Sequence, residues 1–321
     1  MYIRIMMKKI KNIDRVIIFS ILACFCIFSF SYAEPKVGLA LGEGGERLFV
    51  HIGVLKALEN EGIKLDYIAG TSAGSFVGGL YALWKDIDKI EKYLLNLDFK
   101  EYYNNKIEDI ELKEIDDTPF IIFYTDISKG KIDPKWLKGL MDGKGIRDEI
   151  DRLTNRASFE YDLKIPFKAV ATDLITGERV VIDKGRISNA IVASISRPGT
   201  FIPFKFEGKI LVDGGLKDPV PVDVVRKMGS DIVIGVSLRD VKDDAAPNVS
   251  NILSITIRTI YIMLEELNDL SSSKADIIIK PKYVGPLSFS MGREERLKLI
   301  KLGEEETKKI IPLLKTLINS Y

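Results

Sequence analysis

Histidine is nearly absent from this sequence: of 321 residues only His51 is one, and cysteine occurs twice, as Cys24 and Cys26. Each scarcity removes a class of chemistry. With one imidazole and no thiol beyond residue 26, the chain has too few donors for a zinc site of the usual His and Cys type. A zinc site is not expected. An excess of either charge is also missing, since 47 Lys plus Arg stand against 46 Asp plus Glu. Nucleic-acid binders usually carry a basic surplus, so nucleic acid is not an expected partner. Internal repeats and low-complexity linkers are missing too, and one domain is the economical reading of the chain after its N-terminal segment. The composition leaves oligomeric state open.

One long apolar run is present. Arg4, Lys8, Lys9, Lys11 and Arg15 precede Val16 to Phe30, fifteen residues without a charge, and Ser31-Tyr32-Ala33 has the small-x-small form of a cleavage site. Fifteen residues fall short of the about 20 that cross a bilayer as a helix. The expectation is therefore a signal peptide over residues 1–33, cut after Ala33, and an exported domain over 34–321 in the periplasm, at a membrane or secreted. An uncleaved anchor is one alternative. A lipoprotein attached through Cys24 is another, because Ile21-Leu22-Ala23-Cys24 has lipobox form, but Phe25, Cys26, Ile27 and Phe28 continue apolar where such proteins turn polar.

From residue 36 short apolar runs alternate with helical ones. Val37 to Leu41 reads as a buried strand, Phe49 to Leu58 as a helix ending before Gly62, Tyr67 to Ala69 as a second strand, and Ala73 to Trp84 as a second helix. Phe167 to Thr172 and Arg179 to Ile182 read as paired strands around Thr176-Gly177. Ile187 to Ile195 is helical in pattern. Ile210 to Val212, Asp231 to Val236 and Ile277 to Ile279 complete the strands, and Ile252 to Leu270 and Glu294 to Ile318 are long amphipathic helices. Lys85 to Tyr161 is more charged, and helices with a flap over one sheet edge are expected there. The alternation predicts an α/β fold with a mostly parallel central sheet flanked by helices.

Chemistry concentrates in three places. Gly70-Thr71-Ser72-Ala73-Gly74 is a G-x-S-x-G between a strand and a helix, where a serine on a tight turn exposes its Oγ and only small neighbours fit. The bland alternative is a serine capping a helix in a tight corner. The α/β-hydrolase triad, in the order Ser, acid, His, cannot be assembled, because His51 precedes Ser72 by 21 residues and none follows. His51 itself, within Val50-His51-Ile52-Gly53-Val54, reads as a packed helix residue. The base must then be a carboxylate or a lysine. Asp213-Gly214-Gly215 offers a carboxylate at a strand end, with glycines that permit close backbone approach; a plain turn aspartate is the other reading. Burial would raise the pKa of such a carboxylate above its ordinary value of about 4 and so make it a better base. The third place is Gly42-Glu43-Gly44-Gly45-Glu46-Arg47. A dinucleotide fingerprint there lacks its third glycine, since position 47 is Arg, and two glutamates would repel a pyrophosphate.

These segments together resemble the blocks of patatin-like phospholipases, in the family's order: Leu39 to Arg47 with His51-Ile52-Gly53-Val54-Leu55, then Gly70 to Gly74, then Asp213-Gly214-Gly215. Ala171-Thr172-Asp173-Leu174, Ser194-Ile195-Ser196-Arg197-Pro198-Gly199 with Phe201 and Pro203, and Pro219-Val220-Pro221-Val222 are similar to bacterial members. The resemblance implies a three-layer patatin-like fold and hydrolysis of fatty-acyl esters of phospholipids or other acyl lipids, at a membrane surface. It implies a dyad of Ser72 and Asp213, an oxyanion loop over Gly42, Glu43, Gly44, Gly45, Glu46 and Arg47, and no metal or cofactor. Gly70, Gly74, Gly214 and Gly215 support the motifs.

Two residues depart from the family pattern: Glu43 stands where a small residue is usual, and Leu48 where glycine follows the arginine. An inward Glu43 would oppose an oxyanion, whereas an outward one would leave the loop working. The departures keep open a non-catalytic lipid-binding or membrane-surface scaffold on the same fold. Phe120 to Tyr124 and Phe201-Ile202-Pro203-Phe204 are candidates to line an acyl channel, with a core role as the simpler reading for both.

Overall fold

A computed structural model describes residues 34–98, 143–198, 200–238, 252–283 and 291–321. The proposed signal segment and the Phe120 to Tyr124 run lie outside the described residues. Pro35–Ser320 forms one compact unit. In chain order its elements are β1 (Val37–Leu41), a 3-10 turn (Gly45–Arg47), α1 (Leu48–Asn60), β2 (Tyr67–Thr71), α2 (Ala73–Trp84), α3 (Ile87–Asn96), α4 (Lys144–Leu153), β3 (Phe167–Asp173) and β4 (Arg179–Ile182). There follow α5 (Ile187–Ile195), β5 (Phe204–Phe206), β6 (Lys209–Asp213), a 3-10 turn (Gly214–Leu216), α6 (Val222–Lys227), β7 (Ile232–Val236), α7 (Ile252–Ser272), β8 (Ile277–Ile279) and α8 (Arg293–Ser320).

The strands form one eight-stranded sheet in the order β5-β6-β3-β2-β1-β7-β8, with β4 paired to β3. β3, β2, β1, β7 and β8 pair in parallel, while β4 and β6 run antiparallel to β3 and β5 antiparallel to β6. This is the mostly parallel α/β sheet that the alternation predicts. Its two faces differ because side chains alternate along each strand. Leu39, Leu41, Ile68, Ala169, Ile232 and Ile234 share a large core with helices that include α1, α2, α5 and α8. The intervening Ala40, Ala69, Val170 and Val233 are smaller, and they pack against Val222, Val224 and Val225 of α6. Each fully buried aliphatic side chain in these layers stabilises the fold by about 1.5–3 kcal/mol.

Where the chain must come close to itself, it uses bare backbone. A Cβ on Gly53 of α1 would collide with the Ile300 carbonyl of α8, and one on Gly303 would collide with the Val50 carbonyl. α8 also ties down α3: Arg296 donates from its guanidinium to the buried carbonyls of Leu94, Leu95 and Leu97 at the C-terminal end of that helix.

One detail of register governs the site. β2 pairs with the first half of β3, its last residue Thr71 opposite Val170. β6 pairs with the second half in the opposite direction, its last residue Asp213 opposite Ala171. Two strands running towards each other therefore stop at adjacent residues of β3. Whatever follows Thr71 meets Asp213.

Candidate active site

Ser72 follows Thr71 and turns the chain into α2 at φ 52° and ψ −118°, a conformation that L residues rarely hold. Neighbours fix it there. Its N–H donates to Ser194 Oγ at 2.8 Å, and that hydroxyl donates to the Val170 carbonyl at 2.6 Å. Its carbonyl accepts from Ser75 Oγ at 2.7 Å. The flanking glycines are obligatory for contact reasons: a Cβ on Gly70 would strike the Gly74 backbone, and one on Gly74 would strike the Leu41 carbonyl at the end of β1. Such backbone strain is held in place by the packing around it.

Opposite stands Asp213. Ser72 Oγ donates to Asp213 Oδ2 at 2.6 Å. The other carboxylate oxygen, Oδ1, accepts from the Gly215 N–H at 2.8 Å. The backbone around Asp213 is held as firmly: its N–H donates to the Ser196 carbonyl at 2.9 Å, and its own carbonyl accepts from Thr172 Oγ1 at 3.0 Å. Gly214 has no room for a side chain, because a Cβ there would meet the Val170 carbonyl. Both Ser72 and Asp213 are buried, at 5% and 4% exposure. The Asp213 pKa is raised from 3.8 to about 6, by burial first and the Glu43 charge second, against the opposing pull of Arg197 and of the hydrogen bonds from Ser72 and Gly215. A carboxyl poised near neutrality can exchange a proton with a hydroxyl that it touches.

The loop after β1 comes alongside. Gly42 N–H donates to the Val236 carbonyl and Glu43 N–H to the Pro219 carbonyl, both at 2.9 Å, so these two amides are spent on the scaffold. The next two amides, Gly44 and Gly45, make no backbone hydrogen bond among the described residues, and Gly45 takes a left-handed φ of 53°. The Gly42 carbonyl is held twice, by Gly74 N–H at 3.1 Å and by His51 Nε2 at 2.8 Å. Burial lowers the His51 pKa from 6.5 to about 4, with the Gly42 bond opposing it, so the ring is neutral at pH 7 and donates from Nε2. The packed helix histidine of the sequence reading is thus also a brace for the loop.

A scan against family profiles matches residues 39–226 to the patatin-like phospholipase family. The chain belongs to that family. Among curated relatives of this patatin-like protein, an NTE family protein of Mycobacterium tuberculosis is 33% identical over 222 residues, 68% of this chain and 54% of that one. A protein of Candida albicans named lysophospholipase NTE1 is 30% identical over 261 residues, 80% of this chain and 17% of that one. The chain thus spans about half or less of the length of these relatives. Among solved structures, VipD from Legionella pneumophila has the same fold, with a TM-score of 0.51 at 16% identity over 87% of this chain and 67% of that one.

The structure brings Ser72, Asp213, the four motif glycines and the Gly42–Arg47 loop together. Sequence reasoning passed over the roles of Ser194 and His51, because each acts through a side-chain bond to a backbone group that no local pattern encodes. Both departures from the family pattern receive an answer. Leu48 has helical angles of φ −49° and ψ −30° and 3% exposure, so it opens α1 as a core residue where no glycine is needed. Glu43 points inward, at 4% exposure, the direction expected to oppose an oxyanion, but its carboxylate packs on Gly215 beside Asp213 Oδ1, the oxygen that does not hold Ser72. The Phe201–Phe204 run serves the core: Phe201 is buried in the main cluster and Phe204 packs against it. Among the described residues no cluster of His, Cys, Asp or Glu could hold a metal ion, and no helix is long and apolar enough to cross a membrane.

Proposed function

We propose that this patatin-like protein is a serine lipid acyl hydrolase that cleaves fatty-acyl esters of phospholipids or lysophospholipids through Ser72 and Asp213. The observation that carries the reading is the 2.6 Å hydrogen bond from Ser72 Oγ to Asp213 Oδ2 at a strained turn. Asp213 takes the Ser72 proton as Oγ adds to the ester carbonyl. The amides of Gly44 and Gly45, aided by the N-terminus of α2, stabilise the oxyanion. The tetrahedral species collapses, the alcohol or lysolipid leaves with the proton, and the acyl group remains on Ser72. Water then gives a proton to Asp213 as it attacks the acyl carbonyl, and collapse releases the fatty acid while Asp213 returns the proton to Ser72 Oγ. The name of the Candida relative favours a lysophospholipid substrate.

Residues 1–33 act in this reading as an export signal, so the hydrolase works outside the cytoplasm and meets lipid at a membrane surface. N-terminal sequencing of the mature protein tests the cut after Ala33. The activity is tested with purified protein, a panel of lysophospholipids and phospholipids, and a fluorophosphonate label. Fatty-acid release and labelling should both disappear in Ser72→Ala. Release that persists in Ser72→Ala would refute the hydrolase as drawn, and absence of labelling in the native protein would favour the lipid-binding scaffold.

A further inference from the structure

Glu43 is a buried acid that the proposed reaction does not use. Glu43 lies within a loop whose family pattern calls for a small residue, yet it is 4% exposed and faces the site. A Cβ built on Gly215 would collide with Glu43 Oε2 and stand 3.2 Å from Asp213 Oδ1. One bare glycine thus separates two carboxylates. Glu43 approaches the Asp213 oxygen that does not hold Ser72, and its backbone N–H is fixed to the Pro219 carbonyl. Glycine at 215 is what makes room for it.

Two neighbouring carboxylates of like charge need a cation. Arg197 supplies one. It follows Ser196, whose carbonyl holds the Asp213 N–H at 2.9 Å, and its Nη2 stands 3.5 Å from a Cβ position on Gly45 of the same loop. The carboxylates whose charges act on Arg197 are Glu46 and Glu43 on the loop and Asp213 on β6. Around Asp213, then, stand Glu43 from the loop, Arg197 from beyond α5, the Ser72 hydroxyl from the turn into α2, the Gly215 amide, and the Thr172 hydroxyl of β3 on its carbonyl.

We propose that Glu43 and Arg197 are positioning residues of opposite sign that together set how readily Asp213 accepts the Ser72 proton, Glu43 strengthening the base and Arg197 restraining it. The proposal rests on the Ser72–Asp213 reading for its catalytic meaning. Neither side chain bonds the serine. Glu43 makes it harder for Asp213 to stay ionised, which strengthens its pull on the Ser72 proton. Arg197 prevents the pair of acids from taking up a proton permanently, which would leave no base at neutral pH.

The test uses the full-length protein and two readouts. The first is a carbon-13 NMR titration of the Asp213 carboxyl, assigned by its loss in Asp213→Asn. The second is the pH dependence of kcat/KM on a soluble p-nitrophenyl acyl ester. Glu43→Gln should lower the Asp213 midpoint and Arg197→Met should raise it, each by about one pH unit. Glu43→Asp and Arg197→Lys, which keep the charge, should titrate closer to the native protein than Gln and Met do. A structural role alone would not produce shifts of opposite sign. Midpoints that stay fixed, or that move the same way in both variants, overturn the proposal. Ester hydrolysis lost in the native protein while the NMR midpoints still diverge would count against the hydrolase and leave the electrostatic pair standing.

Discussion

The backbone N–H of Ser72 donates to the Ser194 hydroxyl at 2.8 Å, across 122 positions of sequence. The hydroxyl passes the contact on to the Val170 carbonyl of β3. One small side chain thus ties the strained turn to the strand that also carries Asp213 in register. Ser194→Ala should leave the Ser72 N–H buried and unsatisfied, at a cost of about 1–3 kcal/mol. Thermal denaturation should show a lowered Tm, and kcat should fall more than KM changes. A variant with native Tm and native kcat would show that the turn holds itself.

Asp213 predicts two pH effects of different kinds. For activity, the carboxyl must be ionised to act as base, so kcat/KM should climb as pH rises through about 6. For stability the sign is reversed. The pKa is 3.8 in a free carboxyl and about 6 in the folded protein. Below the lower value the group is protonated in both states and costs nothing. Between the two the unfolded chain ionises first, and stability falls by up to about 3 kcal/mol by the time pH exceeds the folded value. Asp213→Asn should therefore be inactive yet more heat-stable than the native protein at pH 8, with no such gain at pH 4. Equal Tm at both pH values would remove the buried-acid account.

His51 pulls the other way over the same range. Its folded pKa of about 4 lies below its free value of 6.5, so the unfolded chain gains a proton first as pH drops. The stability that the neutral ring contributes is complete above about 6.5 and is lost as pH falls towards 4. In His51→Gln that acid-side loss should shrink. Gln retains a donor for the Gly42 carbonyl, so it should keep more activity than His51→Phe, in which kcat should fall by roughly tenfold, the equivalent of about 1.4 kcal/mol. Equal rates in the two variants would deny the brace its part in the loop.

Gly74→Ala probes contact alone. The new methyl would enter the Leu41 carbonyl, so β1 or α2 must shift. A loss of about 1–3 kcal/mol in denaturant unfolding is expected, with activity falling because the same shift moves Ser72. Gly177→Ala is the control: it sits in a left-handed turn with no atom within 4 Å, so it should cost about 1 kcal/mol and leave activity alone.

The central strands were readable because each is a short apolar run closed by a glycine or a charge, and because the helices keep a regular apolar period. The Ala73–Trp84 helix and the Phe167–Ile182 hairpin stand where the pattern puts them. β5 and α6 escaped the pattern. Phe204–Phe206 is three residues long, and Val222–Lys227 is little more than one turn opened by Pro221. The glycines around them marked Ser72 and Asp213 as candidates, and the family resemblance paired the two. Their separation could not be read, since it depends on where β2 and β6 stop along β3. The inward direction of Glu43 was equally hidden, because it requires knowing that Gly215 leaves a gap.

The meeting of β2 and β6 on β3 also orders events during synthesis. Ser72 leaves the ribosome 141 residues before its acid. A growing or half-folded chain therefore carries a hydroxyl without a base, and reactivity arises only when the late strand docks. On the proposed function, the enzyme would thus be silent towards lipid until the chain is whole.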